Sequence, residues 1–119
     1  MEHQLSPPRI EPHFDGRSDE VSYIYKSILS AARSFGPVNE DPKKTSIHLT
    51  NRTAFAGIQT RRDYLILTIK SAHDIKSDRI SRREQASANR WHLELKLRTR
   101  KDVDSELTAW LHDAYKLSS

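Results

Sequence analysis

From Ser18 onward, Val21, Ile24, Tyr25, Ile28, Leu29, Ala32 and Phe35 recur at steps of three and four residues. Such spacing gathers them on one stripe of an α-helix. Ser18 stands where an N-cap belongs, with Asp19 and Glu20 next to the positive end of the helix dipole. Gly36-Pro37 closes the pattern, because Gly accepts a left-handed cap and Pro cannot continue a helix. The stretch PVNEDPKK then reads as a turn-rich linker.

The period next falls to two. Thr45, Ile47 and Leu49 alternate with Ser46, His48 and Thr50, and within residues 53–60 Ala54, Ala56 and Ile58 alternate with Phe55, Gly57 and Gln59. Alternation of this kind predicts half-buried strands. Tyr64 to Lys70 is apolar at both parities, which predicts a central strand or one covered on both sides. Asn51-Arg52 and Arg61-Arg62-Asp63 are short enough to be antiparallel hairpin turns. From Ser77 to Asn89 the alternation disappears into a basic stretch poor in apolar residues, read as a long loop. It resumes with Trp91, Leu93, Leu95 and Leu97 against Arg90, His92, Glu94 and Lys96. A second helix follows. Thr99 and Asp102 have capping-box spacing, Val103, Leu107, Trp110, Leu111 and Ala114 form its apolar stripe, and Asp104, Glu106 and Asp113 face water.

Strands in succession without intervening helices predict an α+β fold with an antiparallel sheet. The expected order is an N-terminal helix, three antiparallel strands, a long basic loop, a fourth strand and a C-terminal helix, with both helices packed on the sheet. Residues 1–17 hold three prolines and no periodicity, so they are expected to form a flexible N-terminal arm. Residues 18–119 are then a single α+β domain.

Composition removes several kinds of chemistry. No cysteine is present, which excludes disulfides, thiolate zinc sites, iron–sulfur clusters and cysteine nucleophiles. The longest apolar run, Leu65-Ile66-Leu67, is far too short to span a bilayer, and no signal peptide is visible, so no membrane partner and a cytoplasmic location are expected. The three glycines, Gly16, Gly36 and Gly57, are too scattered to cradle a phosphate. Ser46, Ser81 and Ser87 lie outside any nucleophile elbow, and the acids at Asp102 and Asp104 are explained by a helix start. A binding protein without cofactors is expected rather than an enzyme.

Charge is uneven along the chain. Lys43 to Lys101 carries 15 Lys and Arg against 5 acids, whereas the remainder carries 5 basic residues against 11 acidic ones. The candidate ligand-binding residues are therefore Arg79, Arg82, Arg83 and Arg90 in and beside the loop, with Arg52, Arg61 and Arg62 at strand ends. Their forked guanidinium groups suit phosphate or carboxylate oxygens, and the expected partner is nucleic acid or another anionic ligand. No aromatic residue precedes Trp91 in the loop to stack bases, and no helix has a basic recognition face. Two other readings stand beside this one. A protein–protein interaction domain would use Phe55 and the neighbouring sheet surface, its oligomeric state being open. A metal site would use His48 and His92, helped by Glu94, if their strands share a face. No HxH or HxxxH spacing supports the metal.

Four stretches, KTSIHLTNRTAFAGI from Lys44, RISRREQASANRWH from Arg79, DVDSEL from Asp102 and AWLHDAY from Ala109, occur in that order. In them the chain resembles the bacterial domain-of-unknown-function family DUF5655, over roughly residues 21–117. A more distant likeness is to the small YdhG-like α+β domains, which would imply iron delivery. The first resemblance implies a fold and no substrate, and the second carries over no residues.

Overall fold

The structure, a computed structural model, describes residues 9–119. The first apolar stripe folds as α1, Asp19–Arg33, burying Val21, Ile24, Tyr25, Ile28 and Ala32. Ser18 occupies the N-cap position, and its backbone N–H donates to the Arg62 carbonyl at 2.8 Å, anchoring the helix start to the sheet. The helix stops at Arg33, three residues before Gly36. A side chain at Gly36 would collide with the Tyr115 hydroxyl, which donates to the Pro37 carbonyl at 3.0 Å.

Six strands follow: β1, Asn39–Pro42; β2, Ile47–Thr50; β3, Ala54–Thr60; β4, Leu65–Ser71; β5, Arg82–Ser87; and β6, Arg90–Leu97. They form one sheet in the order β1-β2-β3-β4-β6-β5, with every pair antiparallel. The fold is thus α+β, as expected, with two strands more than the pattern predicts. β1 lies in the supposed linker and β5 in the supposed basic loop. Both are edge strands, held by backbone pairing to one neighbour, and neither needs the apolar alternation that marks a buried strand. All six residues of β5 are exposed.

Register sorts the side chains cleanly. Ile47, Ile58, Leu67 and Leu95 form one row across β2, β3, β4 and β6, and Leu49, Ala56, Ile69 and Leu93 form the next. These rows make the core with the buried stripes of α1 and of α2, Ser105–Leu117. β4 is central, yet only one of its faces is buried: Leu65, Leu67, Ile69 and Ser71 point inward, while Ile66, Thr68 and Lys70 are half-exposed. The register slips between Leu49 and Thr50 opposite β3, so Phe55 and Ala56 are buried consecutively. Phe55 is 1% exposed and meets the Tyr115 ring edge-on at 5.2 Å. The supposed partner-binding aromatic is therefore a core residue, because an extra residue in a strand inverts the facing of what lies beyond it.

Residues 1–8 of the expected arm lie outside the described residues. Beyond them, a 3-10 helix spans Glu11–Phe14, Ile10 and Phe14 pack against the core, and the Phe14 ring lies 5.3 Å from that of Tyr25. Arg17 donates through Nε to Thr60 Oγ1 at 3.2 Å, and Thr60 Oγ1 donates to the His13 carbonyl. Two apolar residues four apart carry no periodicity, which is why this stretch reads as loose in the sequence.

The second helix starts later than its capping-box spacing predicts. Asp102 accepts from the Thr99 backbone N–H at 3.1 Å, but this closes a 3-10 turn, Arg100–Asp102. The cap of α2 is Asp104, whose carboxylate accepts from Leu107 N–H at 3.0 Å and also holds Arg79 at 2.9 Å. These two donors, the backbone N–H first, keep the Asp104 carboxyl below the usual carboxylate range. A folded-state pKa below the unfolded one, about 3.9 for Asp, gives stability that is present above the unfolded value and lost as pH falls through the folded value. Asp104→Ala is expected to cost about 1–2 kcal/mol at neutral pH, the usual range for a lost N-cap. It should also flatten the fall in melting temperature as pH drops below about 3.9, the unfolded Asp value. Equal acid slopes in parent and variant would count against this role.

Candidate functional site

The helices cover one face of the sheet and leave the other open. Across that open face a single register row runs Asp41, His48, Gly57, Thr68, Glu94 and Arg82, one residue from each strand. Gln59, Ile66 and Lys96 form a neighbouring row, and Lys70, His92 and Glu84 another on the opposite side. Gly57 keeps the centre low, with open space above it save for the edge of the His48 ring. A depression of about 270 Å3 results, walled by Ser46, His48, Gln59, Thr68, Lys70 and His92.

Lys70 is the cation of this depression. Its ammonium donates to Ser118 Oγ at 3.1 Å and Thr53 Oγ1 at 3.3 Å, and among the described residues it has no carboxylate partner. Burial lowers its pKa from the usual lysine value, and the positive charge of Arg90 lowers it further. Arg90 begins β6 at the same end of the sheet, where its guanidinium donates to the Asn89 carbonyl at 2.8 Å and likewise meets no acid among the described residues. Arg52 sits at that end too, in the β2–β3 turn, held by its backbone N–H to the Ser118 carbonyl at 3.0 Å.

The other arginines chosen from the sequence are not gathered there. Arg61 and Arg62 occupy the β3–β4 turn at the far end, where Arg61 donates to the Thr60 carbonyl at 3.2 Å and to Gln59 at 3.3 Å. Arg79 is enclosed by acceptors: Asp104 at 2.9 Å, Glu106 at 3.1 Å and the Asp102 carbonyl at 2.7 Å, with its guanidinium 5.7 Å from the centre of the Trp110 ring. Arg83 points to the helix side of β5 and donates to Asp74 at 2.8 Å and to the Ile75 carbonyl at 3.1 Å. Such charge-assisted bonds hold the loop to the domain. Arg82 is exposed on the open face, opposite Glu94 in register. The basic stretch is therefore in large part internally neutralised.

His48 and His92 do share the open face, as a metal site would require. Three strand spacings separate β2 from β6, about 14 Å between their backbones at the usual strand spacing. His92 Nδ1 lies 3.8 Å from Glu84, and no group of three or more His, Asp or Glu is placed to hold a metal ion among the described residues. The two imidazoles instead stand at opposite sides of the depression, available as hydrogen-bonding walls. Sequence reasoning named these histidines and Arg90 but missed Lys70. Its signal was slight: it is the one charged residue in LILTIK, at the parity that leaves the core.

No helix among the described residues is long and apolar enough to cross a membrane. A family model described as Domain of unknown function (DUF5655) matches residues 10–118. Comparisons with curated proteins and with solved structures return no match.

Proposed function

The chain belongs to the DUF5655 family, and on that premise we propose that it is a binding module for a small anionic ligand, seated in the depression on the open face of the sheet. The observation that carries this reading is Lys70: a partly buried ammonium whose hydrogen-bond partners are hydroxyl groups, with Arg90 close enough to depress its pKa. Two cations without a counter-charge repel each other, and desolvation makes that repulsion stronger than in bulk water. A phosphate or carboxylate between them supplies the missing counter-charge and turns net repulsion into attraction. His48, Gln59, Thr68 and His92 supply hydrogen-bonding groups around it, and Gly57 leaves the room.

A small anion is favoured over a nucleic acid. A single-strand platform needs exposed aromatic rings for bases to stack on, and Tyr64, at the edge of this face, is flanked by Lys96 and Arg98 at 5.8 and 5.2 Å from its ring centre. The arginines that would extend a basic track are split between two ends of the sheet or already paired with acids.

Calorimetric and NMR titrations with inorganic phosphate, pyrophosphate, a dicarboxylate and short oligonucleotides test the reading. Phosphate or carboxylate probes are expected to shift the signals of His48, Lys70 and His92. Lys70→Ala and Arg90→Gln should each weaken binding about tenfold, the loss of one charge-assisted hydrogen bond. Gly57→Val should block the floor while leaving the charges in place. Absence of any shift at these residues with every probe at low salt would overturn the proposal, and oligonucleotide binding alone would favour the nucleic-acid reading.

A further inference from the structure

The two edges of the sheet are built differently. β1 has four residues, includes Pro42, and continues into Lys43, whose carbonyl is hydrogen-bonded by His13 Nε2 at 2.9 Å. Shortness, proline and a covering segment are the usual defences of an edge against pairing. β5 has no proline and every residue exposed, and its regular stretch is Arg82 to Gln85, the register shifting between Gln85 and Ser87. Its strand partner among the described residues is β6 alone. An edge strand turns half of its backbone N–H and C=O groups outward, a ready template for another strand.

The side chains of β5 add charge complementarity to that template. Two copies pairing antiparallel about a two-fold axis normal to the sheet keep each residue on its own face, so opposed residues must share parity. With Arg83 on the axis, Arg82 of each copy faces Glu84 of the other, giving two cross-strand ion pairs on the open face. The two Arg83 residues then approach on the helix side, each already bound to an Asp74 carboxylate at 2.8 Å. Moving the axis to Glu84 instead opposes two glutamates and forms no ion pair. Charge therefore selects the first register. Glu84 is free to turn, since among the described residues it meets no Lys or Arg and lies only 3.8 Å from the His92 ring, and Glu94 lies across from Arg82 within the same chain.

We propose that β5 is a self-association edge, at which a second copy of this chain adds its own β5 antiparallel and joins the two six-stranded sheets into one. The two-fold normal to the sheet keeps both helical layers on one side and both depressions on the other. This inference is independent of the anion-binding reading, because the depression lies on β2, β3, β4 and β6.

Sedimentation equilibrium of the full chain at low salt tests it through charge swaps on a strand with no buried side chain. The parent is expected to dimerise. Arg82→Glu and Glu84→Arg should each weaken the dimer roughly ten- to hundredfold, because two attractive cross-strand pairs become two repulsive ones. An equimolar mixture of the two single variants should restore association as a heterodimer, and the double variant should restore the homodimer. A parent that stays monomeric at its highest soluble concentration would overturn the proposal. So would a dimer indifferent to both single swaps, or single variants that fail to associate on mixing.

Discussion

Phe55→Ala is expected to lower folding stability by about 3–5 kcal/mol, the range for truncating a fully buried aromatic ring. The residue is sealed between the sheet and α2, with Tyr115 against its ring, and the neighbouring Ala56 is too small to fill the space left behind. A urea titration should show a lower midpoint with an unchanged slope, since the same fold then unfolds from a weaker core. The size of the effect separates two accounts of this residue. An exposed contact residue on a partner-binding patch would change stability within about 0.5 kcal/mol. A shift that small would mean that the slip in register does not turn Phe55 inward and that the patch reading stands.

The second large effect is expected where the sequence promises none. Replacing Ile10 and Phe14 together by Ala should cost about 2–4 kcal/mol, less than two fully buried truncations because both side chains are only partly covered. Phe14 lies against Tyr25, whose hydroxyl donates to Glu40 at 2.6 Å and whose own ionisation is pushed up by burial and by that carboxylate. The segment thus reaches the joint between α1 and β1. On this basis we expect the packed domain to begin near Ile10 rather than at Ser18. Thermal and urea unfolding of the double variant in the full-length chain decide the matter. Stability within about 0.5 kcal/mol of the parent would return residues 10–17 to the status of a loose arm.

Several features of the site were legible because they depend on parity alone. His48, His92 and Glu94 sit at positions opposite to the apolar residues of their strands, so any antiparallel arrangement sends them away from the core. Their common face follows from the registers of β2, β3, β4 and β6. The distance between them does not follow from parity, since it depends on which strands intervene. Lys70 was hidden because its importance is relational: that it meets hydroxyl groups and no carboxylate among the described residues depends on what surrounds it in three dimensions.

Local pattern alone was enough for most of each helical stripe (Val21, Ile24, Tyr25, Ile28 and Ala32 in one, Leu107, Leu111 and Ala114 in the other), four of the six strands, the inward facing of Ile47, Leu93 and Leu95, and membership of the α+β class. Each of these is a local consequence of burying one side of a regular element, and local periodicity records it directly. Tertiary structure alone decided the rest. β1 and β5 exist because β2 and β6 offer them backbone partners, and an exposed edge imposes no alternation on its side chains. Phe55 is core because one slip in register inverts it. The basic middle of the chain is not a uniformly basic surface, because Arg79 closes on Asp104 and Glu106 and Arg100 closes on Glu20, contacts spanning 25 to 80 residues. Charge along a chain is a local quantity, whereas its neutralisation depends on which distant segments the hydrophobic core brings together.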